Sequence, residues 1–222
     1  MAFTHIIFDL DETLYPRSGG LMQAIGQRIS LWLEQSLGLS PTEALALRRQ
    51  YVEEYGTTLG GLIVEHHIDP EAYLAFVHDV PVEALLRPNP ALGAMLGAIP
   101  LQKAIFTNST AEHSRRVLRA LDVEAHFTAL VDIRRLDYCN KPRPEAYGRL
   151  LALLDARGPA CILVDDRAAN LLPAHRLGMT TVQVDGAGGD GVDFVVQDVV
   201  EVGPVVERLL HGAVPELAAR GG

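Results

Sequence analysis

Three carboxylates and one hydroxyl lie where an apolar run near the start of the chain ends. The only acid within the run Ile6–Leu10 is Asp9, and Asp11, Glu12 and Thr13 come next. If the extended geometry continues, Asp9 and Asp11 point to the same side, because alternate residues of a strand share a face. Carboxylates at this spacing repel one another, so they favour either a plain strand end or a site that holds a cation.

Three further polar clusters accompany later apolar runs. One begins at Thr107 in the sequence TNS, a second contains Lys141 within CNKPRPEAY, and the third is the pair Asp165-Asp166. If the runs are parallel strands, all four clusters lie at one edge of the sheet, where ligands of such sheets bind. Alone, each cluster is as typical of a strand end, a helix cap or an exposed lysine. Their shared edge favours a functional site.

The residue types at this edge suit phosphoryl transfer. Mg²⁺ would relieve the repulsion among Asp9, Asp11 and Asp166, because it is a hard cation usually bound by a few carboxylates and phosphate oxygens. Lys141 adds a positive charge, and the Thr107 hydroxyl with the N–H groups of the next helix start can hold phosphate oxygens. Such a set catalyses by positioning and charge stabilisation. One carboxylate can attack phosphorus while its neighbour exchanges a proton.

Six short apolar runs predict the strands that position these clusters. Each has the length of a strand buried on both faces. Helical patterns separate most of them, and this alternation predicts an α/β fold with a doubly wound parallel sheet. The runs are Ile6–Leu10, Ala104–Thr107, Ala129–Ile133, Cys161–Val164, Thr181–Val184 and the weaker Phe194–Val196.

Helix-start signals complete the outline of this core. The sequence NP at Asn89 predicts an N-cap followed by proline in the first turn, and STAE at Ser109 fits a capping box. Pro144 opens another helix, and a fourth begins at Ala168 and ends before Gly178.

The segment from residue 15 to residue 88 contains no clear strand. Helices are predicted over Leu21–Leu37, from the capping-box sequence SPTE at Ser40, and from Asp69. Pro16 and the sequence PNP at 88–90 bracket the segment, as is common at domain boundaries. We therefore predict an α/β catalytic core from residues 1–14 and 89–222, with an inserted all-helical cap domain from residues 15–88.

Composition and charge limit the possible functions. The 222 residues are 48% hydrophobic with a mean hydropathy of +0.14, enough for a buried core. A net charge of −9 argues against a nucleic-acid polymer as partner, since such binding rests on a basic face. The sequence shows neither an apolar stretch of roughly 18 residues nor a signal-peptide pattern, so we expect a cytoplasmic protein without a membrane partner. Cys139 and Cys161 suggest no disulfide framework.

Taken in order, these motifs resemble the four motifs of the haloacid dehalogenase-like hydrolase superfamily. DLDET at Asp9, TN at Thr107, KP at Lys141 and DD at Asp165 correspond to them. The predicted helical insert lies where that superfamily carries its cap. The resemblance therefore implies an α/β core, a helical cap and the hydrolytic chemistry of that superfamily.

The resemblance implies roles for the four acids. Asp9 corresponds to the nucleophile and to a ligand of Mg²⁺, the implied cofactor. Asp11 corresponds to the general acid/base, and its backbone carbonyl contacts the metal. Asp166 corresponds to the metal ligand of its pair, with Asp165 in support. Dehalogenases of the superfamily lack an acid at the position of Asp11, so its presence implies a phosphomonoester substrate.

The resemblance also implies roles for the other motif residues. Thr107 corresponds to the hydroxyl that binds the phosphoryl group, with the backbone of Asn108 nearby. Lys141 corresponds to the cation that steadies both the nucleophile and the phosphoryl charge. Thr13 is expected to help to fix the turn after the first strand.

A narrower resemblance concerns the substrate. FDLDETLYP in the core and YVEEYGTTLGGL in the insert are similar to the pyrimidine 5′-nucleotidase branch, which implies a nucleoside 5′-monophosphate. Three residues depart from common patterns of the superfamily. Glu12 is expected to face solvent, and Arg143 and Arg167 replace smaller residues, with Arg167 placed either to contact substrate or to balance charge. These departures bear on substrate choice and leave the chemistry intact.

Other functions of the same motifs stay open at this point. A phosphosugar phosphatase or mutase would use the same core, and a non-catalytic protein could bind a phosphorylated ligand. The sequence GAGGDG formally matches a dinucleotide-binding motif, but a strand-like sequence follows it where a helix is needed, which favours a turn. His66 and His67 are expected to be one packed and one exposed, and Arg48 and Arg49 to lie on a solvated helix face.

Overall fold

A parallel sheet of six strands forms the centre of the protein. The computed structural model describes residues 2–212. The strands lie in the order β3-β2-β1-β4-β5-β6, and each neighbouring pair is parallel. This confirms the predicted doubly wound α/β fold. In sequence order, β1 to β6 are His5–Phe8, Gln102–Phe106, Ala129–Val131, Cys161–Asp165, Thr180–Val184 and Phe194–Val196.

Helices fill the intervals between most of these strands. The predicted starts at Ser40, Asp69 and Asn89 are N-caps whose side-chain oxygens accept a backbone N–H. The short helices α3 and α5 were not predicted. In the described residues, α1 to α10 are Leu21–Leu37, Pro41–Tyr55, Thr58–His66, Pro70–Val77, Val82–Leu85, Pro90–Ala98, Ala111–Ala120, Pro144–Leu153, Ala168–Arg176 and Val202–Leu210.

The two faces of the sheet are both covered by helices. Phe8 of β1 belongs to an apolar cluster with residues of α6, α7 and α10. Its neighbour Ile7 points to the opposite face and joins a cluster with residues of α8 and α9. A strand buried on both faces needs an uninterrupted apolar sequence, and this explains why the runs do not alternate with polar residues.

Five helices, α1 to α5, lie between β1 and α6 without an intervening strand. The first four form an apolar cluster of their own, in which Leu33, Tyr51 and Leu62 are buried, and Ile133 from the loop after β3 joins it. Glu71 of α4 connects this group to the core through an ion pair with Arg134 at 2.7 Å. The division into a cap of residues 15–88 and a core stays a prediction.

Two sequence-level expectations concern features outside the sheet edge. The sequence GAGGDG joins β5 to β6, so a strand and not a helix follows it, and the interpretation as a turn is confirmed. None of the helices between residues 2 and 212 is both long and apolar enough to cross a membrane.

Candidate active site

The carboxyl ends of β1, β2 and β4 bring three of the predicted clusters together. β1 lies between β2 and β4, with Phe8 in register with Ile105 and Val164. Asp9 follows Phe8 directly, and its backbone N–H donates to the carbonyl of Val164 at 2.8 Å. The central strand therefore places Asp9 between the TNS sequence after β2 and the acidic pair at the end of β4.

Lys141 joins two carboxylates of this edge. Its side chain is 1% exposed, and its Nζ lies 2.7 Å from Oδ1 of Asp9 and 2.8 Å from Oδ2 of Asp165. Burial disfavours the ammonium, but the two carboxylates outweigh burial and raise the pKa of Lys141. Asn108 fixes the Lys141 backbone, since its Oδ1 accepts from the N–H at 2.8 Å and its Nδ2 donates to the carbonyl at 3.1 Å. Lys141 is therefore charged and held in place although it lies in a loop.

The acids of this edge titrate abnormally. Burial raises the pKa of Asp9 above its usual range; Lys141 opposes this effect, and the charges of Asp165 and Asp166 add to it. Burial and Asp165 also raise the pKa of Asp166 to about 6, against the opposing effect of Arg17. Both shifts therefore come first from burial and second from the crowding of carboxylates at this edge.

Three carboxylates are arranged so that one cation could meet all of them. One oxygen each from Asp9, Asp165 and Asp166 lies within 4.8 Å of the others. Both oxygens of Asp165 accept hydrogen bonds from Asn170, whereas Asp166 pairs with the largely exposed guanidinium of Arg17 at 2.8 Å. A set of hard oxygen donors fits Mg²⁺, and Asp9 and Asp166 are less occupied by protein donors than Asp165.

Asp11 lies outside this group of three. β1 ends at Phe8, residues 11–13 form a turn, and Glu12 has a φ of +64°. The premise that extended geometry continues through Asp11 is therefore wrong, and Asp9 and Asp11 have separate hydrogen-bond partners.

The Asp11 carboxylate accepts three hydrogen bonds. Oδ1 accepts from the Tyr15 hydroxyl at 2.7 Å and lies 3.1 Å from Nε2 of His113, and Oδ2 accepts from the Ser109 hydroxyl at 2.7 Å. Burial acts to raise the pKa of Asp11, but His113, Tyr15 and Ser109 hold it well below its usual range. The predicted capping box at Ser109 is wrong, because Thr110 is the N-cap of α7. Sequence analysis missed Tyr15 and His113, whose only signal is their closeness to two motifs.

Two threonines tie the edge together. Thr107 accepts the backbone N–H of Ser109 at 3.0 Å. Thr13 donates to Oδ2 of Asp9 at 3.3 Å and accepts the backbone N–H of Asp166 at 3.0 Å. Thr13 was expected to help to fix the turn after β1, and these two hydrogen bonds link that turn to the end of β4.

A cavity of about 260 Å³ opens over this edge. All predicted site residues except Thr13 and Asp165 line it. Its apolar wall comes from the helices α1 and α4, which contribute Met22, Ile25, Ile29, Tyr73, Leu74 and Val77. The cavity therefore combines a polar floor from the sheet edge with an apolar wall from the inserted helices.

A second, outer cavity of about 740 Å³ adjoins the first and is lined by four arginines. Arg48 and Arg167 line both cavities, and Arg49 and Arg143 line only the outer one. The expectation of a solvated helix face is wrong for Arg48, which is half-buried and donates to the carbonyl of Gly26 at 2.7 Å.

Two other expectations about individual side chains are wrong. Glu12 does not simply face solvent, since it is half-buried, lines the inner cavity and lies 3.6 Å from Arg17. His66 and His67 are both exposed, so neither is the packed member of a pair. His66 contacts the Tyr51 hydroxyl at 2.9 Å, and neither histidine lines the two cavities.

Two known proteins have sequences similar to that of this chain. The chain is 30% identical over 146 residues to Phosphate metabolism protein 8 of Saccharomyces cerevisiae; the match covers 62% of this chain but 44% of the yeast protein, so the chain spans less than half of that relative's length. It is 24% identical over 223 residues to the glyceraldehyde 3-phosphate phosphatase of Methanocaldococcus jannaschii, covering 92% of this chain and 97% of that protein.

Solved structures share the fold. The L-2-haloacid dehalogenase of Xanthobacter autotrophicus superimposes with a TM-score of 0.60 at 18% identity, and a phosphatase from Thermococcus onnurineus with 0.63 at 17% identity; each comparison covers 92% of this chain and 98% of the other. The model of the haloacid dehalogenase-like hydrolase family matches residues 3–178, most of the chain. The acid-rich sheet edge, the inserted helices and this match together place the chain in the haloacid dehalogenase-like hydrolase family.

Proposed function

We propose that this protein is a Mg²⁺-dependent phosphatase that hydrolyses a small phosphomonoester through an aspartyl-phosphate on Asp9. The observation that carries the proposal is the buried Asp9 carboxylate on the floor of the inner cavity, which contacts Lys141 and lies within 4.8 Å of the acidic pair at the end of β4. The family match and the phosphatase among the relatives support hydrolysis of phosphate esters. The acid at Asp11 favours a phosphatase over a dehalogenase.

In this proposal the two aspartates of the first motif divide the chemistry. Asp9 attacks phosphorus, and Asp11 gives a proton to the leaving oxygen and later takes one from the attacking water. Lys141 keeps Asp9 oriented and offsets the phosphoryl charge. The Thr107 hydroxyl and the backbone around Asn108 hold the phosphate oxygens.

The proposed metal site uses Asp9, Asp166 and the backbone carbonyl of Asp11, with Asp165 in support. When bound, Mg²⁺ supplies the positive charge that neutralises the phosphate and the crowded carboxylates. The helices α1 to α5 act as a cap that excludes water and contributes substrate contacts.

For the substrate we propose a nucleoside 5′-monophosphate. The apolar wall from α1 and α4 offers a surface for a base or sugar, while the sheet edge binds the phosphate. A phosphate-release screen with Mg²⁺ over nucleotides, sugar phosphates and lysolipid phosphates tests this. Preference for UMP or CMP is expected. Equal turnover across the classes would remove the nucleotide and leave the phosphatase, whereas phosphate transfer within one sugar would indicate a mutase.

The mechanism is tested at Asp9. Asp9→Asn should lower the turnover of p-nitrophenyl phosphate to background without unfolding the protein, because an amide is not a competent nucleophile. Asp155→Asn is a matched control, since Asp155 is exposed in the turn after α8. Wild-type turnover by Asp9→Asn, or turnover that is unaffected when EDTA replaces Mg²⁺, would contradict the proposal.

A further inference from the structure

We propose that His113 is a positioning residue that holds Asp11 for proton exchange. This inference rests on the proposed function, in which Asp11 is the acid/base. Nε2 of His113 lies 3.1 Å from Oδ1 of Asp11. Since an ionised carboxylate only accepts hydrogen bonds, Nε2 carries the ring proton that joins the two residues.

The contact with Asp11 is what explains a histidine at position 113. The side chain is 0% exposed, and its Nδ1 is buried without a hydrogen-bond partner in the described residues. A buried polar atom left unpaired is destabilising, and an apolar side chain on α7 would avoid this cost. The benefit that offsets it is the hydrogen bond from Nε2 to Asp11.

His78 supports the ring of His113 from the side of the inserted helices. The two imidazoles are stacked, with centroids 4.5 Å apart and planes inclined by 18°. His78 directly follows α4, and its Nδ1 lies 3.3 Å from the hydroxyl of Thr110, the N-cap of α7. Stacking restricts rotation of the His113 ring, so the direction of its N–H is fixed.

His113 adds something that the other two donors to Asp11 do not. Tyr15 is four residues from Asp11 and moves with the same turn, and Ser109 binds the other carboxylate oxygen. His113 holds Oδ1 from α7, an element more than a hundred residues away in sequence. Ser109 already ties Oδ2 to the core, so with His113 both oxygens of the Asp11 carboxylate are fixed relative to the core.

The proposed reaction makes this role measurable. As the bond between Asp9 and phosphorus forms, the bond from phosphorus to the leaving oxygen breaks. Asp11, which is ionised in the free protein and takes up a proton from solvent in the substrate complex, gives that proton to the leaving oxygen. A water oxygen then bonds to phosphorus, its proton passes to Asp11, and the bond between Asp9 and phosphorus breaks. Only the first proton transfer depends on how basic the leaving oxygen is, so a misplaced Asp11 harms esters of basic alcohols most.

The experiment measures kcat/KM with Mg²⁺ over a series of aryl phosphates whose leaving groups differ in pKa. His113→Phe keeps a ring against His78 and removes the donor. We expect kcat/KM to fall about tenfold or more for phenyl phosphate and about threefold or less for p-nitrophenyl phosphate, a steeper dependence in the same sense as Asp11→Asn. His113→Gln, which retains an N–H donor, should restore part of the loss.

Ser114→Ala is the matched control on the same helix. Ser114 is as buried as His113, and its hydroxyl donates only to the Thr110 carbonyl at 2.8 Å, so the wild-type dependence should persist. An equal fall on all phosphates in both His113 variants, or an unchanged dependence where Asp11→Asn steepens it, would overturn the role of His113. If Asp11→Asn itself leaves the dependence unchanged, the acid role of Asp11 fails and the inference falls with it.

Discussion

At the scale of single residues, Lys141 pairs with two buried carboxylates at once. It contacts Asp9 and Asp165, and Asp166 lies in the same group of acids. The three carboxylates outnumber the two cations that contact them, the buried Lys141 ammonium and the largely exposed Arg17 guanidinium, so the group favours binding of a further cation. Burial is the main reason that the pKa values of Asp9 and Asp166 are raised, and the neighbouring carboxylates add to it.

Replacement of Lys141 by methionine should therefore destabilise the protein in a metal-dependent way. The change leaves Asp9 and Asp165 buried without their shared cation, and the loss of one partner of a buried pair costs roughly 3–5 kcal/mol. Mg²⁺ stabilises the folded protein because it binds the folded site. At millimolar concentration it should recover more stability in Lys141→Met than in the wild type, because the variant lacks the ammonium that offsets part of the negative charge there. Urea unfolding with and without Mg²⁺ measures both effects.

The other lysine of the sequence provides the control for this prediction. Lys103 is also buried, but it donates to the backbone carbonyls of Ile99 at 2.6 Å and Leu101 at 3.0 Å. Lys103→Met should destabilise the protein without a change in its response to Mg²⁺. The same Mg²⁺ response in both variants would contradict the electrostatic account of Lys141.

The sequence identified the motif residues better than their partners. Asp9 and Lys141 follow from strand ends and motif order, because a parallel sheet brings such ends to one edge. Tyr15 and His113 were missed because they act through hydrogen bonds to Asp11. The contact of His113 forms only where the turn after β1 packs against the first turn of α7. No spacing rule links positions 11 and 113, which only the packed structure brings together.

At the scale of elements, the junction of α2 and α3 rests directly on the loop that carries Lys141. Asn140 donates to the carbonyl of Tyr55 at 2.9 Å. Gly56, at the end of α2, has a φ of +82°, and a Cβ there would lie 2.6 Å from Cδ of Pro142 and 2.7 Å from Nδ2 of Asn140. Only glycine allows both the left-handed backbone and the close approach.

Gly56→Ala should accordingly disturb both stability and turnover. Left-handed strain and the clash together should cost roughly 2–4 kcal/mol. Because the displaced loop carries Lys141, kcat should fall as well. Gly38→Ala at the end of α1 is the control, since it has a φ of +70° but no atom within 4 Å of the added Cβ. It should cost about 1–2 kcal/mol and leave kcat unchanged; equal effects of the two changes on kcat would contradict the contact.

The helix α3, which begins at this junction, shows why some helices were not predicted from the sequence. Strands were predicted from apolar runs, and α1, α2 and α4 from their length or their caps. The helix α3 was missed because the sequence TTLGGL contains two glycines and so has low helix propensity. A Cβ at Gly60 would lie 2.9 Å from Asn140, and one at Gly61 would lie 2.3 Å from the Tyr51 ring. Tertiary packing explains why these two positions are glycine, and the local sequence pattern does not reveal that packing.

At the scale of the whole molecule, the inserted helices and the sheet close around one cavity. Arg116 of α7 bonds Glu83 of α5 at 2.7 Å, and Arg134 of the core bonds Glu71 of α4 at the same distance. From the sequence, the insert is expected to leave the core at residue 15, just after the first motif, and this boundary stays a prediction. The sequence could not predict these contacts, which join residues 33 and 63 positions apart.

His78, which lies between the insert and the core, should make the stability of the folded protein depend on pH. Burial and the neighbouring His113 lower the pKa of His78 to about 3, against about 6.5 for an ordinary histidine. Below about pH 6.5 the unfolded chain binds a proton that the folded protein does not bind, so the free energy of unfolding falls as the pH drops. Since His78 is only half-buried, we expect a loss of about 1 kcal/mol between about pH 7 and pH 5, roughly half of the full linkage value.

His78→Phe keeps the stacked ring and removes the titrating group, so it should lose about 1 kcal/mol less than the wild type over the same pH interval. Urea unfolding at the two pH values measures this difference, and the acids of the sheet edge cancel because both proteins contain them. His67→Asn controls for the loss of a histidine as such, because His67 is exposed and asparagine tolerates its left-handed backbone. If the free energy of unfolding falls equally in His78→Phe and in the wild type between the two pH values, the pH dependence arises from other groups. Protonation of His78 would then not oppose its stacking on His113.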